Sequence, residues 1–170
     1  DTSITGGSFS AQATNAATID ALTIAGSAAV STSGGDAFGG AGSGSGNYIL
    51  SSTTAGVRNP GGVKSLSIAG GVTVSATDSS NINADAGSGA IAVATGGSSG
   101  SSGDVGAIAV GAAAAENKIT KTTTAELRNV NAVNPGMGNV SVTATSNGTI
   151  DALTFGVAGA LSSSGSLALA

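Results

Sequence analysis

The thirteen residues Asn117–Asn129, NKITKTTTAELRN, repeat an earlier part of the chain. Asn47–Asn59 reads NYILSSTTAGVRN, and seven of the thirteen aligned positions are identical without a gap. A repeat of this length indicates a structural unit that stacks on copies of itself, because a single unit cannot bury its apolar face alone. The pattern therefore favours an extended repeat protein over a compact enzyme.

A second, shorter block shows where the repeats lie. Thr18–Thr23 and Thr149–Thr154 both read TIDALT, and Asn81–Gly87 reads NINADAG. Thr18 thus corresponds to Asn81, as Asn47 corresponds to Asn117, and these equivalences set the length of the repeat. The 170 residues are therefore expected to form a single β-solenoid made of repeats 1–70 and 71–139 and a partial repeat, 140–170.

The composition favours a thin core and argues against most enzyme classes. Gly accounts for 29 of 170 residues, 8% are charged and 2% are aromatic. Such small side chains fill a core at native density only where backbones approach closely. The chain contains no His and no Cys, so the usual general base and the commonest metal ligands are missing. We expect no enzymatic activity, no catalytic residues, no cofactor and no metal site.

Charge and hydropathy also limit the partners. The net charge is −4 with five Lys and Arg in all, which is not the basic footprint of a nucleic-acid-binding protein. No run of 18 apolar residues is present, so no membrane span is predicted. Abundant Val, Ile and Thr together with low charge argue against disorder, which is the other common explanation for a Gly/Ser-rich chain.

Period-two alternation predicts strands in every repeat. Phe9–Ala13 reads FSAQA, Val72–Ala76 reads VTVSA and Val140–Ala144 reads VSVTA. Apolar residues at i, i+2 and i+4 are typical of a half-buried strand. A helix is the alternative for Gly106–Glu116, but the aligned stretch of the first repeat, GGAGSGSGNY, could not be helical, so strand is preferred. The residues expected in the core are Ile82, Val93, Ile119, Leu127 and Val142.

Several strands per repeat, separated by polar corners, predict an all-β fold, a parallel β-helix (β-solenoid). A rung of three strands and three corners takes roughly 20–25 residues. Each repeat is then expected to hold about three rungs, and the chain about seven or eight. The Gly/Ser-rich stretches Ser31–Gly46, Gly96–Gly103 and Ser162–Ser166 are predicted to be surface loops.

The repeat resembles a known protein family. The pattern N-x-I-x(3)-T-x-A-x-[VL]-x-N is carried by Asn117, Ile119, Thr123, Ala125, Leu127 and Asn129. It is followed by V-x-V-x-A at Val140, Val142 and Ala144 and by I-x-A at Ile150 and Ala152. This is similar to the degenerate repeats of giant secreted bacterial surface proteins, the filamentous-haemagglutinin-like and repeat-rich adhesins. The resemblance implies a right-handed parallel β-helix, an extracellular location and a stalk or adhesive role.

Four groups of residues are candidates for binding, each with a simpler explanation. Asp20 and Asp151 recur at one repeat position, which suggests a carboxylate pair or a corner residue that caps backbone groups. Gly34–Gly40, GGDAFGG, faintly resembles a calcium-binding Gly/Asp repeat but holds a single Asp. Arg58 and Arg128 recur beside a turn, where solvated residues are usual. Thr122–Thr124 resembles part of an ice-binding face without its long regular array.

The function predicted from the sequence is structural. We expect a β-solenoid segment of a bacterial extracellular adhesin or surface fibre, located at the cell surface, that associates end to end. Its partners would be further repeats of the same polypeptide or other copies of the chain, together with host or cell-surface glycans. A glycan- or ice-binding solenoid module is the alternative, although a saccharide site normally offers exposed aromatic rings.

Overall fold

The computed structural model of the chain describes residues 4–58, 61, 64–96, 105–131, 138–163 and 167–170. These residues form strands and no helix, so none of them belongs to a helix long and apolar enough to cross a membrane. In chain order the strands are β1 (Ile4–Gly6), β2 (Phe9–Asn15), β3 (Thr18–Ser31), β4 (Ala37–Arg58), β5 (Lys64–Ile68), β6 (Val72–Asp78), β7 (Asn81–Ala94), β8 (Ala107–Arg128), β9 (Val130–Asn131), β10 (Val140–Ser146), β11 (Ile150–Ser162) and β12 (Ala168–Leu169).

The strands form four three-stranded sheets, and three of these sheets take one strand from each repeat. Their orders are β1-β5-β9, β10-β6-β2, β11-β7-β3 and β12-β8-β4. Phe9 pairs with Val72 and Val72 with Val140, and both pairings are parallel and continue without a break along the strands. Each successive set of four strands is therefore one rung of a parallel β-solenoid. The predicted fold class, all-β with a parallel β-helix, is confirmed.

The predicted three rungs per repeat are wrong, because each repeat is a single rung. Phe9 pairs with Val72 and Val72 with Val140, and these three residues begin the equivalent FSAQA, VTVSA and VSVTA segments of successive repeats. The prediction assumed strands of about 5–6 residues, whereas β3 has 14 residues and β4 has 22. The described residues thus form three rungs and not seven or eight.

The Gly/Ser-rich stretch of the first repeat lies largely within a strand. Ala37–Gly46, predicted as part of a loop, forms the first half of β4, in which the inward residues are Ala, Ser and Gly39 and the outward residues are Phe38 and the remaining Gly. The alternation A-x-G-x-A-x-S-x-S keeps the inward side chains small enough for a close neighbour. For Gly106–Glu116 the sequence favoured a strand over a helix, and this prediction is confirmed, since β8 begins at Ala107. Of the other two predicted loops, positions 97–103 and 164–166 lie outside the described residues.

The contacts divide the chain into two compact units. The first contains Asp1–Thr18, Tyr48–Ile82 and Lys118–Ile150. The buried residues of its core are Val72, Val74, Ala76, Ile68 and Ala55, and partly buried residues such as Phe9 and Leu127 pack against them. Asn129, just beyond β8, has a φ of 56°, a left-handed conformation that Asn tolerates. This accounts for the Asn that ends the second copy of the thirteen-residue block.

The second unit contains Ile19–Asn47, Asn83–Asn117 and Asp151–Ala170. Its core consists almost entirely of Ala, from β4, β7 and β8. Within it the two facing sheets approach closely at glycine. A Cβ on Gly39 would lie 2.7 Å from the carbonyl oxygen of Ile91, and one on Gly111 would lie 2.6 Å from that of Val157. The backbone approach predicted from the scarcity of large side chains is therefore present in this unit.

Four of the five predicted core residues face inward, and one does not. Ile82 is fully buried, and Val142 pairs with the fully buried Val74. Leu127 packs against the core of the first unit, and Ile119 lies on the same face of β8. Val93 is wrong, because the inward residues of β7 are the even-numbered ones from Ile82 to Ala94.

Truncation of Leu127 tests the core of the first unit. Replacing Leu127 by Ala is expected to lower the free energy of unfolding by about 2 kcal/mol, near the lower end for Leu→Ala because the side chain is only partly buried. Leu50→Ala is the matched control, since Leu50 is 85% exposed and its loss should change stability by less than about 0.5 kcal/mol. Urea unfolding followed by circular dichroism measures both, and equal values would contradict the assignment of these faces.

Candidate functional site

The densest polar cluster in the described structure surrounds Asp78, the last residue of β6, which is fully buried. Its Oδ2 accepts hydrogen bonds from Ser51 Oγ at 2.6 Å, Asn15 Nδ2 at 3.0 Å and Thr53 Oγ1 at 3.3 Å. Its Oδ1 accepts from the backbone N of Ser80 at 3.1 Å and from Ser80 Oγ at 2.6 Å. Both carboxylate oxygens are therefore occupied by donors from the protein itself.

A lysine completes this cluster from another strand. Lys121 on β8 faces inward, its side chain is 12% exposed, and its Nζ lies 3.5 Å from Asp78 Oδ1. The same Nζ donates to the backbone oxygen of Asn147. Gly148 leaves room for it, since a Cβ at that position would lie 2.6 Å from Nζ. The ammonium thus has both a counter-ion and a carbonyl acceptor, which a buried charge requires.

The hydrogen bonds control the ionisation of Asp78. The Ser51 hydroxyl, followed by the Ser80 hydroxyl, Asn15 amide and Ser80 backbone N–H, holds the pKa of the Asp78 carboxyl well below its usual range. Burial raises the pKa but is outweighed by these bonds. Asp78 is therefore a stable carboxylate at neutral pH, unsuited to proton transfer. Its chemistry is that of an anchor, which joins the corner after β6 to the inward faces of β4 and β8.

Sequence reasoning did not find this cluster, although the repeat alignment carried a signal for it. Asn15, Asp78 and Ser146 stand in register at the ends of β2, β6 and β10. Each follows an Ala-Thr pair, in the triplets ATN, ATD and ATS. A polar residue at the same inward position of three repeats predicts a stacked polar position in a solenoid corner.

The recurring carboxylates Asp20 and Asp151 do not form a pair and do not lie in corners. Both face outward within strands, Asp20 in β3 and Asp151 in β11. β7 lies between these two strands, so their backbones are about 10 Å apart. The corner assignment was wrong because the strands begin at Thr18 and Ile150, before each Asp.

The other candidates have structural partners or exposed positions. Asp36 Oδ1 accepts a hydrogen bond from the backbone N of Gly106 at 2.7 Å, which joins the first rung to the second. Arg58 forms an ion pair with Glu126, and Arg128 lies 3.9 Å from the same carboxylate. The two arginine side chains are 62% and 67% exposed, as expected of solvated residues.

The threonine cluster is divided between the two faces of β8. Thr122 and Thr124 face outward with Thr120, whereas the Thr123 hydroxyl is buried and has no hydrogen-bond partner. Ser52 and Thr54 face outward on β4, the neighbouring strand. The hydroxyl-bearing surface therefore consists of two short rows in the described structure.

The third rung presents a candidate interaction surface within the first unit. Among the described strands, β10 pairs only with β6 and is the outermost strand of its sheet. Its inward residues Val140 and Val142 are 47% and 44% exposed, and Ile150 at the start of β11 is 47% exposed. Their counterparts in the middle rung, Val72, Val74 and Ile82, are fully buried. Core residues and unpaired backbone groups of the third rung are thus presented together.

Within the described ranges, no group of three or more acidic side chains could hold a metal ion. Comparisons of the chain with protein-family models, with curated protein sequences and with solved structures find no match.

Proposed function

We propose that this chain is a structural β-solenoid segment of a bacterial extracellular adhesin or surface fibre, and that its rungs associate end to end. The observation that carries the proposal is the half-exposed set Val140, Val142 and Ile150, whose equivalents one rung away are fully buried. Covering this surface with one more rung would bury these residues as completely as Val72, Val74 and Ile82.

The backbone supports the same association. An outermost strand offers a row of unpaired N–H and C=O groups, which is a template for pairing with another strand. β10 has seven residues in the V-x-V-x-A pattern, and β2 of the first rung also has seven with inward Phe9, Ala11 and Ala13. The first rung of a second copy, or a further repeat of the same polypeptide, would therefore meet the third rung with matching strand length and alternation.

Weak electrostatic repulsion favours contact between copies. Charged residues make up 8% of the chain and the net charge is −4, so little repulsion opposes stacking. The bacterial surface location, the adhesive role and possible glycan partners are proposed from the resemblance of the repeats to those of secreted adhesins. In this proposal the protein acts through its shape and its ends and not through catalysis.

A charge placed on the third rung tests end-to-end association. Val142→Lys puts an ammonium on the surface that stacks, whereas Thr143→Lys puts the same charge on the opposite, outward face of β10. We expect the unmodified chain and Thr143→Lys to form end-to-end assemblies in sedimentation velocity and negative-stain microscopy, and Val142→Lys to lose them. Assembly of Val142→Lys at the level of the unmodified chain would contradict the proposal.

A further inference from the structure

The sheet β11-β7-β3 carries an apolar surface on its outward side, within the second unit. We define the outer face as the even-numbered residues of β3 and the odd-numbered residues of β7 and β11. Leu22 is 69% exposed, Ile24 71% and Val157 61%, and Val30, Ile91 and Phe155 are also exposed. A contiguous apolar surface of this kind is rare on a monomer and marks an interaction site.

The register across this sheet is fixed by hydrogen bonds at both ends of β7. Asn81 N donates to Ala17 O and Thr95 N to Ser31 O, whereas Ile82 N donates to Thr149 O and Ser163 N to Ala94 O. These bonds continue the register of the neighbouring sheet, in which Phe9 pairs with Val72 and Val72 with Val140. Gly26, Gly89 and Val157 therefore lie side by side across the outer face.

A groove crosses the outer face at this level. Its volume is about 470 Å³, and it is lined by Gly26, Gly89 and Gly159 together with Ile91 and Val157. A Cβ on any of these three glycines would meet nothing within 4 Å, so the groove is open space above the backbone. Next to it, the Phe155 ring lies over Gly87, where a Cβ would clash with the ring.

We infer that the outer face is a dimer interface on which a second copy of this chain packs face to face, with its strands antiparallel to those of the first. Strands β3 and β7 have 14 residues each. At about 3.3 Å per residue and about 4.8 Å between strands, the face measures about 45 by 14 Å. Two such faces bury about 1,300 Å² in all, above the roughly 1,000 Å² that a specific interface requires.

The sizes of the side chains favour the antiparallel orientation. A two-fold axis that crosses the strands at Gly26 and Gly89 places each residue two positions before the axis opposite the residue two positions after it. Ile24 then faces Ala28 of the second copy, and Phe155, on the β11 strand aligned through Val157, faces Gly159. Next to the groove, large side chains therefore meet small ones, as interdigitating sheets require.

The charges favour the same orientation. The acidic residues of the outer face, Asp20, Asp85 and Asp151, all lie towards its N-terminal end. Antiparallel packing places the acidic ends of the two copies at opposite ends of the interface. A two-fold axis along β7 would instead bring Asp85 against Asp85 and Asp20 against Asp151, and such like-charge contacts are costly.

The first experiment measures dimerisation in the Val142→Lys chain, in which end-to-end association is expected to be lost. Negative-stain microscopy of the same chain separates end-to-end rods from face-to-face dimers, so failure of one proposal does not imply failure of the other. Sedimentation equilibrium over a concentration series is expected to show a dimer. Gly89→Leu fills the groove without a clash inside the monomer and is expected to raise the dissociation constant about tenfold or more. Gly40→Leu, an equally open glycine on the outward side of β4, is the control and should change nothing.

The second experiment determines the orientation. The chain has no Cys, so single cysteines can be introduced without a background. A bismaleimide that spans about 10 Å, the usual separation of packed sheets, should cross-link Gly26→Cys to its copy and leave Asp85→Cys unlinked. Cross-linking through Asp85→Cys would overturn the antiparallel arrangement.

Three results would overturn the interface altogether. The first is a monomer at every concentration that does not bind lipid, and the second is a dimer that Gly89→Leu does not weaken. The third is a monomer that binds phosphatidylcholine vesicles and loses this binding in Gly89→Leu. The last outcome would identify the outer face as a lipid-binding surface.

Discussion

Replacing Asp78 by Asn is expected to cause the largest loss of stability of any conservative substitution in the chain. The substitution keeps the shape of the side chain but replaces one acceptor oxygen by a donor. At the Oδ1 position this donor would face Ser80 and Lys121, and at the Oδ2 position it would face Ser51 and Asn15. It also leaves the Lys121 ammonium buried without its counter-ion, which is strongly destabilising. Asp151→Asn, at an outward-facing carboxylate, is the control and should unfold at the temperature of the unmodified chain.

The effect of Asp78 should depend on pH in a defined direction. Its folded-state pKa lies below the unfolded value of about 3.9, so ionised Asp78 stabilises the fold above that pH. The contribution is lost as pH falls from about 4 towards the lower, folded-state pKa. Thermal unfolding between neutral and acidic pH should therefore show the difference between the unmodified chain and Asp78→Asn shrinking below about pH 4. A difference independent of pH would mean that the carboxylate does not anchor the corner as an anion.

A second substitution separates the ion pair from the hydrogen bonds. Lys121→Met removes the buried ammonium while keeping the apolar stem. Because Asp78 and Lys121 interact directly, the double variant should lose less stability than the sum of the two single variants. Additive losses would show that Ser51, Ser80 and Asn15 alone hold the carboxylate.

The strands of each repeat could be predicted from local pattern, but the size of a rung could not. VTVSA and VSVTA alternate so regularly that strand and inward face follow from the sequence, and both are confirmed at Val74 and Val142. Rung size depends on which strands pair, and alternating sequences pair equally well in many registers. Phe9 pairs with Val72, a full repeat away, because the rung contains long strands such as β4. The Gly and Ser residues of β4 are typical of a loop when the local sequence is considered alone, so the length of this strand was not predicted.

The same limit applies to the polar cluster and the outer face. The burial of Asp78 depends on Ser51, which is 27 residues away in the chain, so the local sequence shows only a polar corner. β7 carries Ala on one side and Ile91 and Val93 on the other, and both sides read as apolar. Larger side chains usually mark the core. Here the interior requires the smaller ones, which is why Val93 was assigned to the wrong face.

The narrow interior of the second unit leads to the second large effect, at Gly111. Gly111 faces inward on β8, and a Cβ there would lie 2.6 Å from the carbonyl oxygen of Val157 and 3.3 Å from Ser88 Oγ. Both obstacles belong to the facing sheet, and the first is backbone, which cannot rotate away. Gly111→Val must therefore push the two sheets apart and separate the Ala residues packed around them. We expect a loss of about 3 kcal/mol or more in the free energy of unfolding, at the upper end for overpacked cores.

A graded series distinguishes this steric effect from a change in strand propensity. Gly111→Ala should cost less than Gly111→Val, because the valine adds two further methyl groups against the same facing strand. Gly40→Val is the matched control, since Gly40 faces outward on β4 and a Cβ there meets nothing within 4 Å. Val favours strands, so this control should be neutral or slightly stabilising. Urea unfolding followed by circular dichroism provides the three values. If Gly111→Val were as stable as Gly40→Val, the two sheets could not approach as closely at Gly111 as the contact with Val157 requires.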